Sequence, residues 1–250
     1  MAPLIEIENL SYRFANGTVG LAGINLAIEA GSFTVIAGAN GSGKTTLLRH
    51  LNGLIRPESG EVRLASVPVF DDLAGARQRV GMVFQDTESQ IVGETVADDV
   101  AFGPENLKLS REEIARRVDA ALGAVGLEKM RHHGTHALSG GEKRRLAIAG
   151  VLAMEPQILV FDEPFANLDY AGVGQVLARI VDLHHRGRTL VLTTHALEKV
   201  LRFADRLIFM AGGRVVRDGP PAETVKEAER FGVRLPCRVC MDRETDSWLN

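Results

Sequence analysis

The glycine-rich stretch GANGSGKT, residues 38–45, constrains this chain more than any other feature. It satisfies the pattern G-x-x-x-x-G-K-[ST] completely. A short apolar run, FTVIAG (33–38), precedes it, and a helical pattern, KTTLLRHLNGL (44–54), follows it. Glycines let the backbone turn its N–H groups toward phosphate oxygens, and the helix directs its positive N-terminal end at the same anion. The stretch therefore predicts a phosphate-binding loop between a buried strand and a helix.

Individual residues of this loop have distinct predicted tasks. Lys44 places a compact positive charge on the outer phosphates of a nucleotide, and the Thr45 hydroxyl is a suitable Mg²⁺ ligand. The predicted nucleotide-binding residues of the loop are Asn40, Gly41, Gly43, Lys44, Thr45 and Thr46. A chance match to the pattern is the alternative. It is disfavoured because the flanking strand and helix and a second, acidic motif are all present.

The rest of the chain alternates between strand and helix patterns. Apolar runs typical of strands occur at 4–10, 19–31, 80–84, 157–161, 189–194 and 206–210. Helical patterns cover about 172–186 and 195–203, and the whole stretch 86–155 reads as helical. Within it, Ser110 and Glu113 are spaced as a capping box. Such alternation predicts an α/β fold with a mostly parallel sheet, interrupted by a helical segment.

A pair of adjacent acids ends one of the predicted buried strands, ILVFDEP (158–164). Neighbouring side chains on a strand point to opposite faces, so Asp162 and Glu163 cannot do the same job. Asp162 suits the Mg²⁺ side of a nucleotide site. Glu163 suits a general base that orients or deprotonates an attacking water. The alternative is a solvated acidic turn.

Composition limits the classes of function. The 250 residues carry a formal net charge of −3, so no basic excess suggests nucleic acid as a partner. The N-terminal stretch lacks the basic and apolar regions of a signal peptide, and the apolar runs are too short to span a bilayer. We therefore expect a cytosolic protein. The two cysteines, Cys237 and Cys240, indicate no disulfide framework.

Five motifs in order resemble those of the ATP-binding-cassette (ABC) ATPases. They are the phosphate loop, Gln85 after VGMVF, LSGGE at 138–142, FDEP at 161–164 and His195 after TLVLTT. The resemblance covers about residues 4–220. It implies a P-loop NTPase (RecA-like) core with an N-terminal antiparallel β segment and an inserted α-helical signature subdomain. The cassette would span 1–230 with its helical subdomain at about 86–155, and 231–250 would form a short tail.

The resemblance also implies roles for residues outside the phosphate loop. Gln85 would touch Mg²⁺ or water, and His195 would lie at the γ-phosphate. Asp162 and Thr45 would complete the Mg²⁺ site. Phe14 would stack on the adenine, with Tyr12 as the second candidate.

The LSGGE motif is the family signature, and the resemblance implies that it acts in trans. Ser139, Gly140 and Gly141, with Asp169 of the FANLD segment, would face the ATP bound by a second cassette packed head to tail. The motif opens a helix but has no lysine, so it offers N–H groups without a strong phosphate anchor of its own. The FANLD segment (165–169) corresponds to the D-loop of the family, and this region departs from many relatives at Asn167 and Tyr170.

The stretch VFQDTESQIVGETVADDVAFGPENL (83–107) is similar to the ATPases of energy-coupling-factor importers, including the cobalt-transport CbiO type. This implies an ATP- and Mg²⁺-dependent subunit, peripheral on the cytoplasmic face of the membrane. Its partners would be a second ATPase subunit, a transmembrane coupling protein and a membrane substrate-binding subunit. The cargo, a vitamin or a cobalt or nickel ion, stays open, as does homodimer versus heterodimer.

Other features allow more than one interpretation. Asp98 and Asp99 could pair with arginines of a docking helix, or could serve as N-terminal charge on their own helix. The histidines at 132–136 could bind a metal but fit a loop better. Cys237 and Cys240 could form half of a zinc site or an ordinary tail. A soluble ABC ATPase acting on nucleic acid or the ribosome, and a non-catalytic nucleotide switch, are the alternative functions.

Overall fold

A computed structural model describes residues 3–236, which form ten strands and seven helices. The strands are β1 (Ile5–Arg13), β2 (Val19–Ile28), β3 (Phe33–Ala37), β4 (Ser59–Leu64), β5 (Val67–Pro68), β6 (Val80–Val83), β7 (Ile158–Asp162), β8 (Thr189–Thr193), β9 (Arg206–Ala211) and β10 (Arg214–Gly219). The helices are α1 (Lys44–Leu51), α2 (Leu73–Arg79), α3 (Val96–Asn106), α4 (Arg111–Val125), α5 (Gly140–Leu152), α6 (Tyr170–His185) and α7 (Pro221–Thr224).

Two sheets form the framework. The central sheet has six strands in the order β10-β9-β3-β8-β7-β6, parallel except for the edge strand β10. The second sheet is antiparallel, in the order β2-β1-β4-β5. This arrangement confirms the predicted α/β core with an N-terminal antiparallel segment.

The central sheet is buried on both faces, which explains why its strands are almost continuously apolar. On β3, Phe33 and Val35 belong to one core cluster while Ile36 belongs to the other, as the alternation of side chains along a strand requires. One cluster packs the sheet against α3 to α6. The other packs it against α1 and the antiparallel sheet. The carboxyl ends of the parallel strands are thus held rigidly from both sides.

The inserted segment consists of α3, α4 and α5, which pack against one another between β6 and β7 in the chain. Val118 and Leu122 belong to the buried stripe of α4. The predicted capping box at Ser110 is only half formed. Its hydroxyl accepts the N–H of Glu113 at 3.2 Å, but the Glu113 carboxylate pairs with Arg116 and Arg117 instead. Charge-assisted bonds to two guanidinium groups are stronger than one bond to a neutral N–H.

One predicted helix is wrong. Residues 195–203 form two short 3₁₀ turns, Leu197–Lys199 and Leu201–Phe203. The spacing of the buried Leu197 and Val200 fits a three-residue turn as well as an α-helix, so periodicity could not separate them. Strands β4, β5 and β10 and helices α2 and α7 have no counterpart among the predicted elements. No helix within residues 3–236 is both long and apolar enough to cross a bilayer.

Candidate active site

The phosphate loop joins β3 to α1 at the carboxyl edge of the central sheet. Gly38 has φ +151° and Gly43 has φ +103°, values that L side chains rarely adopt. A Cβ atom on Gly38 would collide with the carbonyl oxygen of Met210, and one on Gly43 would lie 2.7 Å from that of Gly20. Glycine is therefore required at both positions by conformation and by space.

Lys44 is buried at the centre of this loop and bonded to its backbone. Its Nζ donates to the carbonyl oxygens of Gly38 at 2.8 Å and of Ala39 at 3.1 Å. Burial lowers the pKa of the Lys44 amine, while the carboxylates of Glu163 and Asp162 oppose this shift. The hydroxyl of Ser42 is buried without a hydrogen-bond partner. A loop with a buried ammonium group and a free hydroxyl suits an anionic ligand.

A cleft of about 450 Å³ brings together the predicted nucleotide-binding and hydrolytic residues. Its lining includes Phe14, Asn40, Gly41, Gly43, Lys44, Thr45, Thr46, Gln85, Glu163 and His195. Phe14 is 39% exposed at the mouth. Tyr12 packs its ring edge-on against both Phe14 and His50, which leaves it behind Phe14. The geometry therefore favours Phe14 over Tyr12 for stacking on a base.

The acidic pair lies where β7 ends beside β8. Asp162 is buried, and its Oδ1 accepts a hydrogen bond from the Thr193 hydroxyl at 2.6 Å. Glu163 has φ +47°, and its Oε1 lies 3.1 Å from Nδ1 of His195. The two acids do face different partners, as predicted. Thr193 was not among the predicted site residues, although its place at the end of a predicted parallel strand, like that of Asp162, was a usable signal.

Gln85 follows β6 and has an exposed side chain that lines both the phosphate cleft and a larger neighbouring cleft of about 940 Å³. Thr45 and Asp162 line the larger cleft as well. The loop after Gln85 is closed by Gln90, whose side chain accepts from the N–H of Phe84 at 3.1 Å and donates to the carbonyl of Met82 at 3.0 Å. The Gln90 side chain thus bonds the backbone at the end of β6 in the way that a neighbouring strand would.

The LSGGE motif opens α5 and does not line the phosphate cleft. Ser139 caps the helix in a complete capping box with Glu142, and hydrogen bonds from Ser139 lower the pKa of the Glu142 carboxyl. Ser139, Gly140, Gly141 and Asp169 line a separate cleft of about 470 Å³. None of its lining residues lines the phosphate cleft.

Residues 21–166 match the family model described as ABC transporter, which is more than half of the chain. The chain belongs to the ABC transporter family. It is similar to the energy-coupling factor transporter ATP-binding protein EcfA of Methanocaldococcus jannaschii, with 41% identity over 93% of this chain and 86% of the relative. It is an ATP-hydrolysing ABC ATPase of the energy-coupling-factor type.

Solved structures of ABC proteins agree with this fold. CbiO1 of Clostridium perfringens, described as part of the ABC transporter complex cbiONQ, superposes with a TM-score of 0.83 at 39% identity, covering 92% of this chain and 93% of that one. A dimeric post-hydrolysis ATP-binding cassette, MJ0796 bound to ADP and Pi, gives 0.78 at 30% identity, covering 87% and 98%. The RecA-like core and helical subdomain predicted for an ABC cassette are thus confirmed.

The contacts of Asp99 favour the helix-end interpretation over a docking role. Asp99 is only 8% exposed, and its Oδ1 accepts the N–H groups of Val92 at 2.8 Å and Gly93 at 3.0 Å. Asp98 forms a capping box with Thr95 at the start of α3. Both carboxylates therefore belong to their own helix end and the loop before it, which is the alternative that the sequence left open.

The histidines considered as metal ligands do not line the three clefts described above. The three histidines of 132–136 are exposed, and no group of three metal-binding side chains occurs within residues 3–236. Cys237 and Cys240 lie outside the described residues. Asn167 has φ +59°, a left-handed conformation that asparagine tolerates better than most residues, and Tyr170 begins α6 with 61% of its surface exposed.

Proposed function

We propose that this chain is the ATPase subunit of an energy-coupling-factor importer for a vitamin or for a metal ion such as cobalt or nickel. It works on the cytoplasmic face of the membrane as part of a head-to-tail pair of cassettes. The observation that carries the proposal is the Glu163–His195 pair, 3.1 Å apart, in the same cleft as Lys44 and Thr45. The similarity to EcfA supports the transporter branch.

The donor set fits Mg²⁺-ATP. Lys44 exchanges its bonds to two loop carbonyls for the outer phosphates. The hydroxyl of Thr45, the carboxylate of Asp162 and the side-chain oxygen of Gln85 are the oxygen ligands that Mg²⁺ prefers. The metal, when bound, supplies charge neutralisation of the phosphates during phosphoryl transfer.

Glu163 is the general base in this proposal. With Nδ1 of His195 protonated, that ring donates to Oε1 of Glu163 and orients the carboxylate. The backbone N–H of Glu163 is bonded to Thr193, which fixes the base relative to Asp162. A water between this carboxylate and the terminal phosphate would lose its proton to Glu163 as it attacks.

The signature motif serves the ATP of the second cassette. In one chain, Ser139, Gly140 and Gly141 line a cleft of their own, and the N-terminal ends of α5 and α6 meet there. Helix N-termini attract phosphate but hold it weakly without a cation. ATP therefore stabilises the closed pair, because contacts to the signature exist only in that state.

The membrane coupling protein is the proposed occupant of an apolar groove of about 270 Å³ between α3, α5 and β6. Val92 and Phe102 line this groove and are 59% and 52% exposed, so they extend it into an exposed apolar patch of the kind that marks interaction sites. The relative CbiO1 is described as part of a multi-subunit complex, which supports a protein partner for this face.

Catalysis is tested with Glu163→Gln. Loss of the base should lower the rate of ATP hydrolysis by about 10²–10⁴-fold while ATP binding persists. The measurement is steady-state phosphate release beside equilibrium binding of a fluorescent ATP analogue. Wild-type rates in the variant would contradict the assignment of the base.

Partner choice is tested by co-purification from detergent-solubilised membranes, with the coupling protein co-expressed and detected by its own tag. Phe102→Glu should abolish its recovery and leave the ATPase rate of the isolated chain unchanged. Val216→Glu, an exposed apolar position on the opposite sheet edge, is the matched control. Recovery of ribosomes or DNA in place of the coupling protein would favour the alternative, a soluble ABC ATPase acting on nucleic acid.

A further inference from the structure

Arg144 is a buried arginine in α5, only 4% exposed, five residues after the capping serine. Its Nη1 donates to the carbonyl oxygen of Phe84 at 2.8 Å, and its Nη2 donates to that of Gln85 at 2.8 Å. A longer contact of 3.5 Å joins Nη2 to the carbonyl of Ala166. One guanidinium group thus joins the signature helix to the loop of Gln85 and to the D-loop.

The charge of Arg144 is costly where it lies. None of the ion pairs found within residues 3–236 involves it, and its Nε is buried without a hydrogen-bond partner. Burial lowers the pKa of the guanidinium group, which Asp86 and Asp162 oppose from a distance. An apolar side chain would fill this space at a lower cost in desolvation. The advantage of a charged side chain at this position is therefore its hydrogen bonds to the backbone carbonyl oxygens of Phe84 and Gln85.

These bonds act on the backbone of Gln85 and leave its side chain free. The Gln85 side chain is exposed in the 940 Å³ cleft together with Thr45 and Asp162. Fixing the carbonyl of Gln85 fixes the direction in which its Cα–Cβ bond points. A second link, the ion pair between Lys143 and Glu88 at 2.6 Å, runs parallel to the first but has an exposed carboxylate.

We propose that Arg144 is a positioning residue for ATP hydrolysis, which makes the orientation of Gln85 depend on the position of the signature helix. This rests on the proposed function, in which Gln85 binds Mg²⁺ of the chain's own ATP and Ser139 binds the partner's ATP. Arg144 touches neither nucleotide. Arg144 transmits movement of α5, which engages the partner's ATP, to Gln85, which binds the Mg²⁺ of the chain's own ATP.

The test compares Arg144→Met and Arg144→Lys in the full chain. Methionine keeps much of the volume but loses both carbonyl bonds, so kcat should fall by about 10–100-fold. The Mg²⁺ concentration for half-maximal hydrolysis should rise severalfold, while ATP binding without Mg²⁺ stays unchanged. Lysine, which can reach one carbonyl, should restore part of both values. Arg116→Met, which removes an exposed guanidinium from the same helical segment, should match the wild type.

A merely structural role would lower the melting temperature or the active fraction without moving the Mg²⁺ dependence. An unchanged Mg²⁺ dependence in Arg144→Met overturns the proposal. If that variant does not fold, Arg144→Lys decides alone, since a shifted Mg²⁺ dependence at a near-normal melting temperature supports the proposal and an unshifted one overturns it. A wild-type chain without Mg²⁺-dependent hydrolysis sensitive to Glu163→Gln would overturn the proposed function instead.

Discussion

Thr193 illustrates how much of this site depends on one buried hydroxyl group. It is fully buried at the end of β8, donates to Oδ1 of Asp162 at 2.6 Å and accepts the N–H of Glu163 at 3.1 Å. Thr193 pairs directly with Asp162 in the parallel register of β7 and β8. The hydroxyl therefore orients the proposed metal ligand and the proposed base together.

We expect Thr193→Val to impair catalysis with little change in fold. Valine has nearly the same shape but cannot donate to Asp162, so kcat/KM for Mg²⁺-ATP should fall by about 10–100-fold, as for other outer partners of metal ligands. Steady-state hydrolysis at varied Mg²⁺ is the measurement. Thr193→Ser keeps the hydroxyl and should retain most activity; equal losses in the two variants would mean that the methyl group, and not the hydrogen bond, matters.

At the scale of elements, the start of α3 depends on two neighbouring carboxylates with separate tasks. Asp98 satisfies the N–H of Thr95 within the helix cap, at 3.2 Å. Asp99 reaches back to the loop that enters the helix and holds the N–H groups of Val92 and Gly93. The path of the chain into the inserted helical segment is thus set by side-chain bonds to backbone N–H groups. The periodicity of apolar residues in the sequence does not reveal such bonds.

Asp99→Ala should destabilise this entry to the helical segment. It leaves two backbone N–H groups without their partner, which costs about 1–3 kcal/mol. Chemical denaturation followed by circular dichroism measures the loss. Asp98→Ala removes only the Asp98 half of the capping box and keeps the Thr95 cap, so it should cost about 0.5–1.5 kcal/mol. A normal unfolding free energy of Asp99→Ala, combined with lost binding to the coupling protein, would reinstate a docking role for Asp99.

On the scale of the whole molecule, the phosphate loop and the signature motif line different clefts of the same chain. The phosphate loop and Glu163 line one cleft, and the signature and Asp169 line another. A third cleft, of about 940 Å³, shares Thr45 with the first and Gly140 with the second. In the proposed head-to-tail pair, the signature cleft of one chain would face the phosphate cleft of the other.

The trans assignment predicts complementation between two inactive variants. Ser139→Arg should bind ATP but hydrolyse almost none, because the bulky cation blocks the partner's terminal phosphate. Glu163→Gln lacks the base. Mixed chains should form one competent site per heterodimer, made from Glu163 of the first variant and Ser139 of the second. Hydrolysis by the mixture above the sum of the separate variants is the readout; its absence, with heterodimers verified by two affinity tags, would contradict the assignment.

Local sequence patterns were enough to predict the phosphate loop, the adjacent acids, the helix that follows LSG and the parallel strands of the central sheet. These features depend on local patterns, namely glycine conformation, side-chain alternation and helix capping. The bond of Thr193 to Asp162, 31 residues away, and the bond of Arg144 to the Gln85 carbonyl, 59 residues away, became evident only from the three-dimensional fold. Buried polar groups form hydrogen bonds with whichever partner the packing places beside them. Residue spacing along the sequence does not indicate which group that partner is.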